Sequence, residues 1–243
     1  MSGMTLDCFE FTHQGGREYN EDSVGVKLTE SSGLFIVADG LGGHLHGDVA
    51  SKCVVDTLMN SFDSTDKHTE SAIVDAIAES NQKLLDLQEQ NACKMKSTVV
   101  VLSVNEDGAC WANVGDSRLY YIHNSEITSI TEDHSVAYKK YKAGQITRAE
   151  IAFDEDQSCL LRALGNPDRC QPDVYHSNRP LTRGDALLLC SDGFWEYVYD
   201  NEILVDYLKS DSAEKWGQLL LQRAISRVDT DNDNLSLITV IVN

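Results

Sequence analysis

The sequence predicts a layered α+β protein, on the strength of three patterns. Two apolar runs, 34–38 (Leu-Phe-Ile-Val-Ala) and 186–190 (Ala-Leu-Leu-Leu-Cys), are short and continuous. Each is closed by a turn signal, Asp39-Gly40 or Ser191-Asp192-Gly193, as buried strands are. Residues 109–130 read as consecutive short antiparallel strands with Gly, Asp and Asn at the corners. Paired helical stripes are inserted between these strand groups, the arrangement of layered packing.

In chain order, strands are expected near 5–12, 23–28 and 33–38. In the second, Val24, Val26 and Leu28 alternate with Gly25 and Lys27, as on a half-buried strand. A helix follows over 47–62, where Val49, Ala50, Cys53, Val54, Thr57, Leu58 and Phe62 share one stripe. Another spans 69–90, with Ile73, Ala76, Ile77, Leu84 and Leu87 on its apolar face. Strands near 97–104, 109–115, 118–123 and 126–130 come next. The stretch 131–180 is the least patterned and holds all three prolines (Pro167, Pro172, Pro180). Long irregular connections of this kind are often functional. After the strand at 186–190, Asp200 and Ser212 are N-cap candidates for helices over 201–209 and 213–227. A strand at 235–242 closes the chain.

With 243 residues and 42% hydrophobic content, the chain can bury one sizeable core, and nothing in its composition marks a linker. The reading is a single domain over about 5–242. A net charge of −19 argues against nucleic acid or an anionic membrane as partner. Most of the 39 carboxylates are read as a solvated surface that aids solubility. Seven cysteines without C-x-x-C spacing point to reduced thiols and a cytoplasmic location. The first residues have neither the basic region nor the apolar run of a secretion signal.

Carboxylates recur at predicted strand ends. Beyond Asp39 and Asp192, they occur in Asn20-Glu21-Asp22, in Val114-Gly115-Asp116-Ser117-Arg118 and in Asp231-Asn232-Asp233-Asn234. A folded sheet could gather them. Hard oxygen ligands with no Cys/His pattern select Mg²⁺ or Mn²⁺ over zinc. The glycines after Asp39 and Asp192 are read as freeing the backbone to turn a carbonyl toward an ion. Taken singly, each aspartate is an ordinary turn residue, and spacing does not show that they meet.

In order along the chain, these elements resemble those of the metal-dependent protein phosphatases of type 2C. The resemblance runs from about Phe9 to Val242. It begins with Arg17-Glu-Tyr-Asn-Glu-Asp22 and Val37-Ala-Asp-Gly-Leu-Gly-Gly-His44, the latter continuing through Gly47 to Ala50-Ser51. Ser97-Thr98, Asn113-Val-Gly-Asp-Ser-Arg118, Thr131-Glu-Asp-His-Ser135 and Leu161-Arg-Ala-Leu-Gly165 follow. Ser191-Asp-Gly-Phe-Trp195 and Asp233-Asn-Leu-Ser236 complete the series.

The resemblance implies a four-layer α-β-β-α sandwich, two antiparallel sheets flanked by helices, with metals at one edge. It implies that Asp39 bridges two Mn²⁺ or Mg²⁺ ions. Asp192 and Asp233 would complete one site, and the Gly40 carbonyl with Glu21 and Asp22 would serve the other, directly or through water. Asp116 would take a weaker third ion with support from Glu196, and Arg17 would grip the phosphate. Arg17, Asp39 and Asp192 are the residues expected to carry catalysis. A mobile flap would fall near 131–165. Many eukaryotic members carry His two residues after the bridging aspartate, where this chain has Leu41.

This chemistry suits the residues. A phosphomonoester dianion repels hydroxide and hydrolyses extremely slowly unaided. Carboxylates hold the cations that offset such charge, and a guanidinium fork matches two phosphate oxygens. The expected function is hydrolysis of phosphoserine and phosphothreonine in proteins, opposing a Ser/Thr kinase, by a monomer. A non-catalytic phosphoprotein-binding regulator and a hydrolase of small phosphate esters are the alternatives. His44 is read as ordering the glycine loop and His46 as exposed. Lys139, Lys140 and Lys142 are read as a solvated helix face, with attraction of a phosphopeptide as the minority reading. Ser117 has no evident base beside it, and the glycine spacing at 40–47 fits no nucleotide loop.

Overall fold

One strand shows how the layers arise. In the computed structural model, which describes residues 4–29, 32–42, 46–63 and 69–243, strand β3 spans Gly33–Gly42. Its Leu34, Ile36 and Ala38 pack with Ala50, Val54, Leu58, Ile73 and Ile77, which belong to helices α1 (Gly47–Asp63) and α2 (Glu70–Asn91). Phe35 and Val37, on the opposite face, join Leu119, Leu187, Leu189, Ile238 and Val240 in a separate core. Successive side chains of a strand point to opposite faces. A strand covered on both faces therefore has no polar positions, which explains the continuous apolar run.

One sheet runs β2 (Asp22–Leu28), β3, β5 (Val99–Asn105), β6 (Gly108–Val114), β9 (Asp173–His176), with β4 (Met95–Ser97) paired to the end of β3. The other runs β1 (Leu6–His13), β11 (Leu235–Val242), β10 (Ala186–Cys190), β7 (Arg118–His123), β8 (Glu126–Ile130). Pairing is antiparallel in both. The inner faces of the two sheets share the core containing Phe35 and Leu187. The outer face of the second sheet buries Tyr120, Leu188 and Leu237 against Tyr138 of α3 (Val136–Lys142) and against Trp216 and Leu220 of α6 (Ala213–Ile225). Helix α5 (Asp200–Leu208) adds Ile203 to that layer. The result is the expected four-layer α-β-β-α sandwich.

Several local expectations need correction. The strand placed at 97–104 breaks at Thr98, whose hydroxyl accepts the Asp39 amide at 3.0 Å and lies 2.7 Å from the Ser117 hydroxyl. Residues 109–130 form consecutive strands, but β6 and β7 lie in different sheets, so the 115–117 corner crosses the sandwich. Gly115 has φ +105° there, and a Cβ would fall 2.6 Å from the Thr98 side chain. Strand β9 escaped the pattern reading because it has only four residues, between two prolines. The irregular stretch also contains α3 and a 3-10 turn over Arg148–Phe153. Ser212 caps α6 as expected, accepting from the Lys215 amide at 3.2 Å. Asp200 is instead the first residue of α5, with Tyr199 at the cap; its carboxylate is drawn to Arg148 Nε at 2.5 Å.

All seven cysteines are unpaired thiols. Among the described residues, no helix is long and apolar enough to cross a membrane.

Candidate active site

Hydrogen bonds at strand ends fix the position of each acidic side chain. Strands β2 and β3 pair with Asp22 opposite Asp39, so two carboxylates leave the same end of the sheet. The Asp39 carbonyl accepts from the Thr98 amide at 2.8 Å and the Ser97 hydroxyl at 3.1 Å. Asp192 lies one residue past β10, after Ser191, and opens the one-turn helix α4 (Asp192–Trp195), accepting the Gly193 amide at 2.7 Å. Asp116 sits on the corner between the sheets, its carbonyl held by the Trp195 indole N–H at 2.9 Å. Trp195 itself stacks on the buried Arg118 guanidinium, 3.5 Å from its ring centroid.

These supports bring Asp39, Asp116 and Asp192 together: one carboxylate oxygen from each lies within 4.8 Å of the others. Asp22 is buried beside them and accepts from the Ser191 hydroxyl at 2.8 Å. A cavity of about 660 Å³ opens over the cluster, lined by Arg17, Glu21, Asp39, Gly40, Asp192 and Asp233 among others. Leu41 and Ser158 also reach it.

Gly40 is required for a reason different from the one expected. Its backbone is outside the left-handed region, and so is that of Gly193. A Cβ on Gly40 would instead fall 1.9 Å from the Gly47 carbonyl oxygen. The same knot is tied by Gly40 N–H to the Glu21 carbonyl at 3.0 Å and Gly47 N–H to Glu21 Oε1 at 3.1 Å. Close approach of two backbones, not freedom of angle, is what the glycine provides.

Burial and mutual repulsion dominate the electrostatics. Burial first, then Asp192, Asp22, Asp116 and Asp233, hold the Asp39 carboxyl well above the usual range. Asp192 is raised likewise by burial, Asp116 and Glu196. Burial pushes Asp22 to about 6, against the Ser236 and Ser191 hydroxyls that favour its ionised form. Burial and Asp133 push Asp116 to about 7, and burial and Asp233 push Glu196 to about 7. A set of hard oxygen donors kept from ionising by burial and by one another's charge fits a multivalent cation, which would offset both.

Asp233 departs from the expected arrangement. It lines the cavity with Asp39 and Asp192, but its carboxylate makes a two-point ion pair with Arg17, at 3.2 Å from Nε and 3.0 Å from Nη2. Asp116, expected at the margin, is in the central trio. Glu21 spends one carboxylate oxygen on Gly47, and Glu196 accepts from Gln157. His46 is half-buried rather than exposed, and His44 lies outside the described residues. Lys140 bridges Asp154 and Asp156 at 2.7 and 2.8 Å, so that lysine is not simply solvated.

Residue reasoning missed the residues that hold the carboxylates in place. Thr98 was visible as part of a strand and of the Ser97-Thr98 element, but not as the residue that accepts the Asp39 amide. Asn234 accepts the Glu21 amide at 2.7 Å and donates to the Gln14 and Tyr19 carbonyls at 2.9 Å each, fastening the loop that carries Arg17. The Asp-Asn-Asp-Asn run signalled a site without saying which side chain clamps and which one ligates.

A two-sheet sandwich with an acidic cluster at one edge defines a class of proteins fitted to hold divalent cations, and comparison with known proteins narrows it. Residues 12–221 match the family described as Protein phosphatase 2C. The serine/threonine phosphatase stp of Listeria welshimeri is 32% identical over 231 residues, covering 91% of this chain and 90% of that protein. The crystal structure of serine/threonine phosphatase Stp1 from Staphylococcus aureus superposes with a TM-score of 0.86 at 33% identity, over 99% of this chain and 96% of that one. The catalytic domain of serine threonine protein phosphatase PstP, solved with two manganese ions, gives 0.84 at 26% identity, over 98% and 99%. The chain belongs to the protein phosphatase 2C family, whose members depend on metal.

Proposed function

We propose that this cleft hydrolyses phosphoserine and phosphothreonine in proteins with two Mn²⁺ or Mg²⁺ ions, a third binding more weakly at Asp116. The chain is a protein serine/threonine phosphatase, and its substrates are phosphoproteins. In this reading Asp39 would help hold both ions, with Asp192 and Asp233 completing the first site. The Gly40 carbonyl, Glu21 and Asp22 serve the second, directly or through water, and Glu196 supports Asp116. When bound, such ions supply Lewis acidity, acidifying a water and offsetting charge on the phosphoryl oxygens.

The protein's own groups do the rest. Arg17 offers two parallel N–H donors to two phosphate oxygens, a match a lysine does not reproduce. It is half-exposed at the cavity wall, where a phosphate can replace Asp233 as its partner. Thr98 and Ser97 fix the Asp39 backbone so that its carboxylate does not swing away. Leu41 offers no proton, so the leaving serine or threonine oxygen has to take one from a water or from another side chain.

The observation that carries this reading is the convergence of Asp39, Asp116 and Asp192 from three distant stretches of chain. The basic groups closest to them already have carboxylate partners, Arg17 with Asp233 and Arg118 with Asp133. None of the carboxylates expected of an active member is missing, which favours an enzyme over a phosphoprotein-binding regulator. One catalytic domain over about 5–242 follows, with 131–165 as a flap whose Ser158 reaches the cavity and whose Gln157 donates to Glu196. The same reading makes the protein a cytoplasmic monomer that opposes a Ser/Thr kinase, in keeping with a net charge of −19.

The test is release of phosphate from a phosphothreonine peptide. Release should require Mn²⁺ or Mg²⁺ and be abolished by chelator and by Asp192→Asn. A wild-type protein inert with both metals contradicts the proposal.

A further inference from the structure

A second cavity, of about 450 Å³, lies between α3 and the loops at 161–173. Its lining brings together Lys139, Lys142, Arg162 and Arg169, an unusual gathering in a chain with 20 basic against 39 acidic residues. Two of the four are neutralised: Lys142 by Glu132 at 2.6 Å and Arg162 by Asp173 at 2.6 Å. The third acid of the lining, Asp133, is occupied by buried Arg118 at 2.6 Å. Lys139 and Arg169 are exposed and, among the described residues, make no ion pair. The cavity thus carries two uncompensated positive charges on a strongly negative molecule.

Its floor is tied to the acidic cluster. His134, 6% exposed, accepts the Gly115 amide on Nδ1 at 3.1 Å, and Gly115 precedes Asp116. That bond puts the imidazole proton on Nε2, 3.1 Å from Asp173. Burial lowers the pKa of His134, which stays neutral and adds no charge of its own. Summing one residue of backbone and one imidazole, the floor is on the order of 10 Å from the Asp116 carboxylate, or about three residues of extended peptide.

Building on the phosphoprotein phosphatase reading, we infer that this cavity is a docking subsite for an acidic side chain of the substrate, aspartate, glutamate or a second phosphate, a few residues from the phosphoresidue being hydrolysed. Lys139 and Arg169 supply the attraction. The paired Arg162 and Lys142 form a rim whose N–H groups can share a second carboxylate or phosphate oxygen. Steering matters here because the surrounding surface repels acidic peptides, so a local positive pocket fixes which acidic substrates approach and in which register.

The test compares two phosphothreonine peptides, one with two aspartates about three residues from the phosphothreonine and one with alanines there. Para-nitrophenyl phosphate, too small to span both sites, serves as reference. The wild type should favour the acidic peptide in kcat/KM by about fivefold at low salt, the size two exposed ion pairs provide, and lose that preference at high salt. The double variant Lys139→Glu/Arg169→Glu should prefer the alanine peptide while hydrolysing para-nitrophenyl phosphate at the wild-type rate. A second readout is free of catalysis: in a fluorescence anisotropy titration in chelator, an unphosphorylated acidic peptide should bind the wild type at least about fivefold more tightly than the double variant. No preference in the wild type, or one that survives in the double variant, overturns the docking subsite alone. Failure to cleave either peptide while the reference ester is cleaved overturns the phosphoprotein reading and this inference with it.

Discussion

Arg17 and Asp233, 216 residues apart in sequence, are joined by two hydrogen bonds at the mouth of the acidic cleft. The residue proposed to hold phosphate and a residue proposed to hold metal are therefore each other's partner when neither ligand is bound. A cation arriving at Asp233 must displace the guanidinium, and the displaced guanidinium is then free for phosphate.

Arg17→Ala should accordingly act in two directions. KM for a phosphopeptide should rise about tenfold or more as the two-point phosphate contact is lost. Mn²⁺ should bind twofold to fivefold more tightly, because Asp233 no longer has to leave a half-exposed, partly screened ion pair. Calorimetric titration with Mn²⁺ and steady-state kinetics separate the two. Weaker metal binding in the variant would show that the pair organises Asp233 rather than competing for it.

The raised carboxylates make metal-free stability fall with pH. Asp22 titrates near 6 and Asp116 and Glu196 near 7 in the folded protein, against about 4 in the unfolded chain. Between those values the folded state retains protons that the unfolded chain has lost, so stability is fullest below about pH 4 for these groups and drains away by about pH 8. Melting curves in chelator should show this fall, and saturating Mn²⁺ should remove most of it. Asp116→Asn should melt higher than wild type at pH 8 in chelator, by several degrees, and by clearly less at pH 5. Equal shifts at both pH values would rule out charge repulsion as the cause.

How far the sequence reached can be judged from particular residues. The layers were legible because 34–38 and 186–190 are apolar without a break, which only strands covered on both faces can be. The convergence of Asp39 and Asp192 was legible only through motif order, since no periodicity links residues in different sheets. The Arg17–Asp233 pair, the Thr98 break and the Asn234 clamp were not legible, because each depends on partners at least 59 residues away meeting in space. Strand β9 was hidden by brevity and flanking prolines. The cation imbalance in the second cavity was half visible as a lysine cluster, but Arg169 joins it only through folding.

The buried pair of Arg118 and Asp133 holds the corner that carries Asp116. Both side chains are almost wholly enclosed, with bonds of 2.9 and 2.6 Å, and Arg118 supports Trp195 from below. Asp133→Ala leaves a buried guanidinium without its counter-charge, a change that costs about 3–5 kcal/mol. In a chain of this size that corresponds to a fall in Tm of roughly 6–20 °C. A melt within a degree or two of wild type would remove this pair from the account of how the corner is held.

Gly40→Ala should separate packing from charge. The added methyl has to push away the Gly47 carbonyl, which is backbone and belongs to the start of α1. We expect Mn²⁺ affinity to drop at least tenfold while the far-ultraviolet circular dichroism stays close to wild type. Unaltered affinity would mean the Gly40 carbonyl takes no part in holding an ion.

The most direct test is an anomalous difference map from crystals grown with manganese. Two strong peaks should share a carboxylate oxygen of Asp39, one also touching Asp192 and Asp233 and the other the Gly40 carbonyl, with the Arg17 guanidinium turned off Asp233. Peaks that avoid Asp39 altogether, or an ion-free cleft with Arg17 still clasping Asp233 at saturating metal, would contradict it.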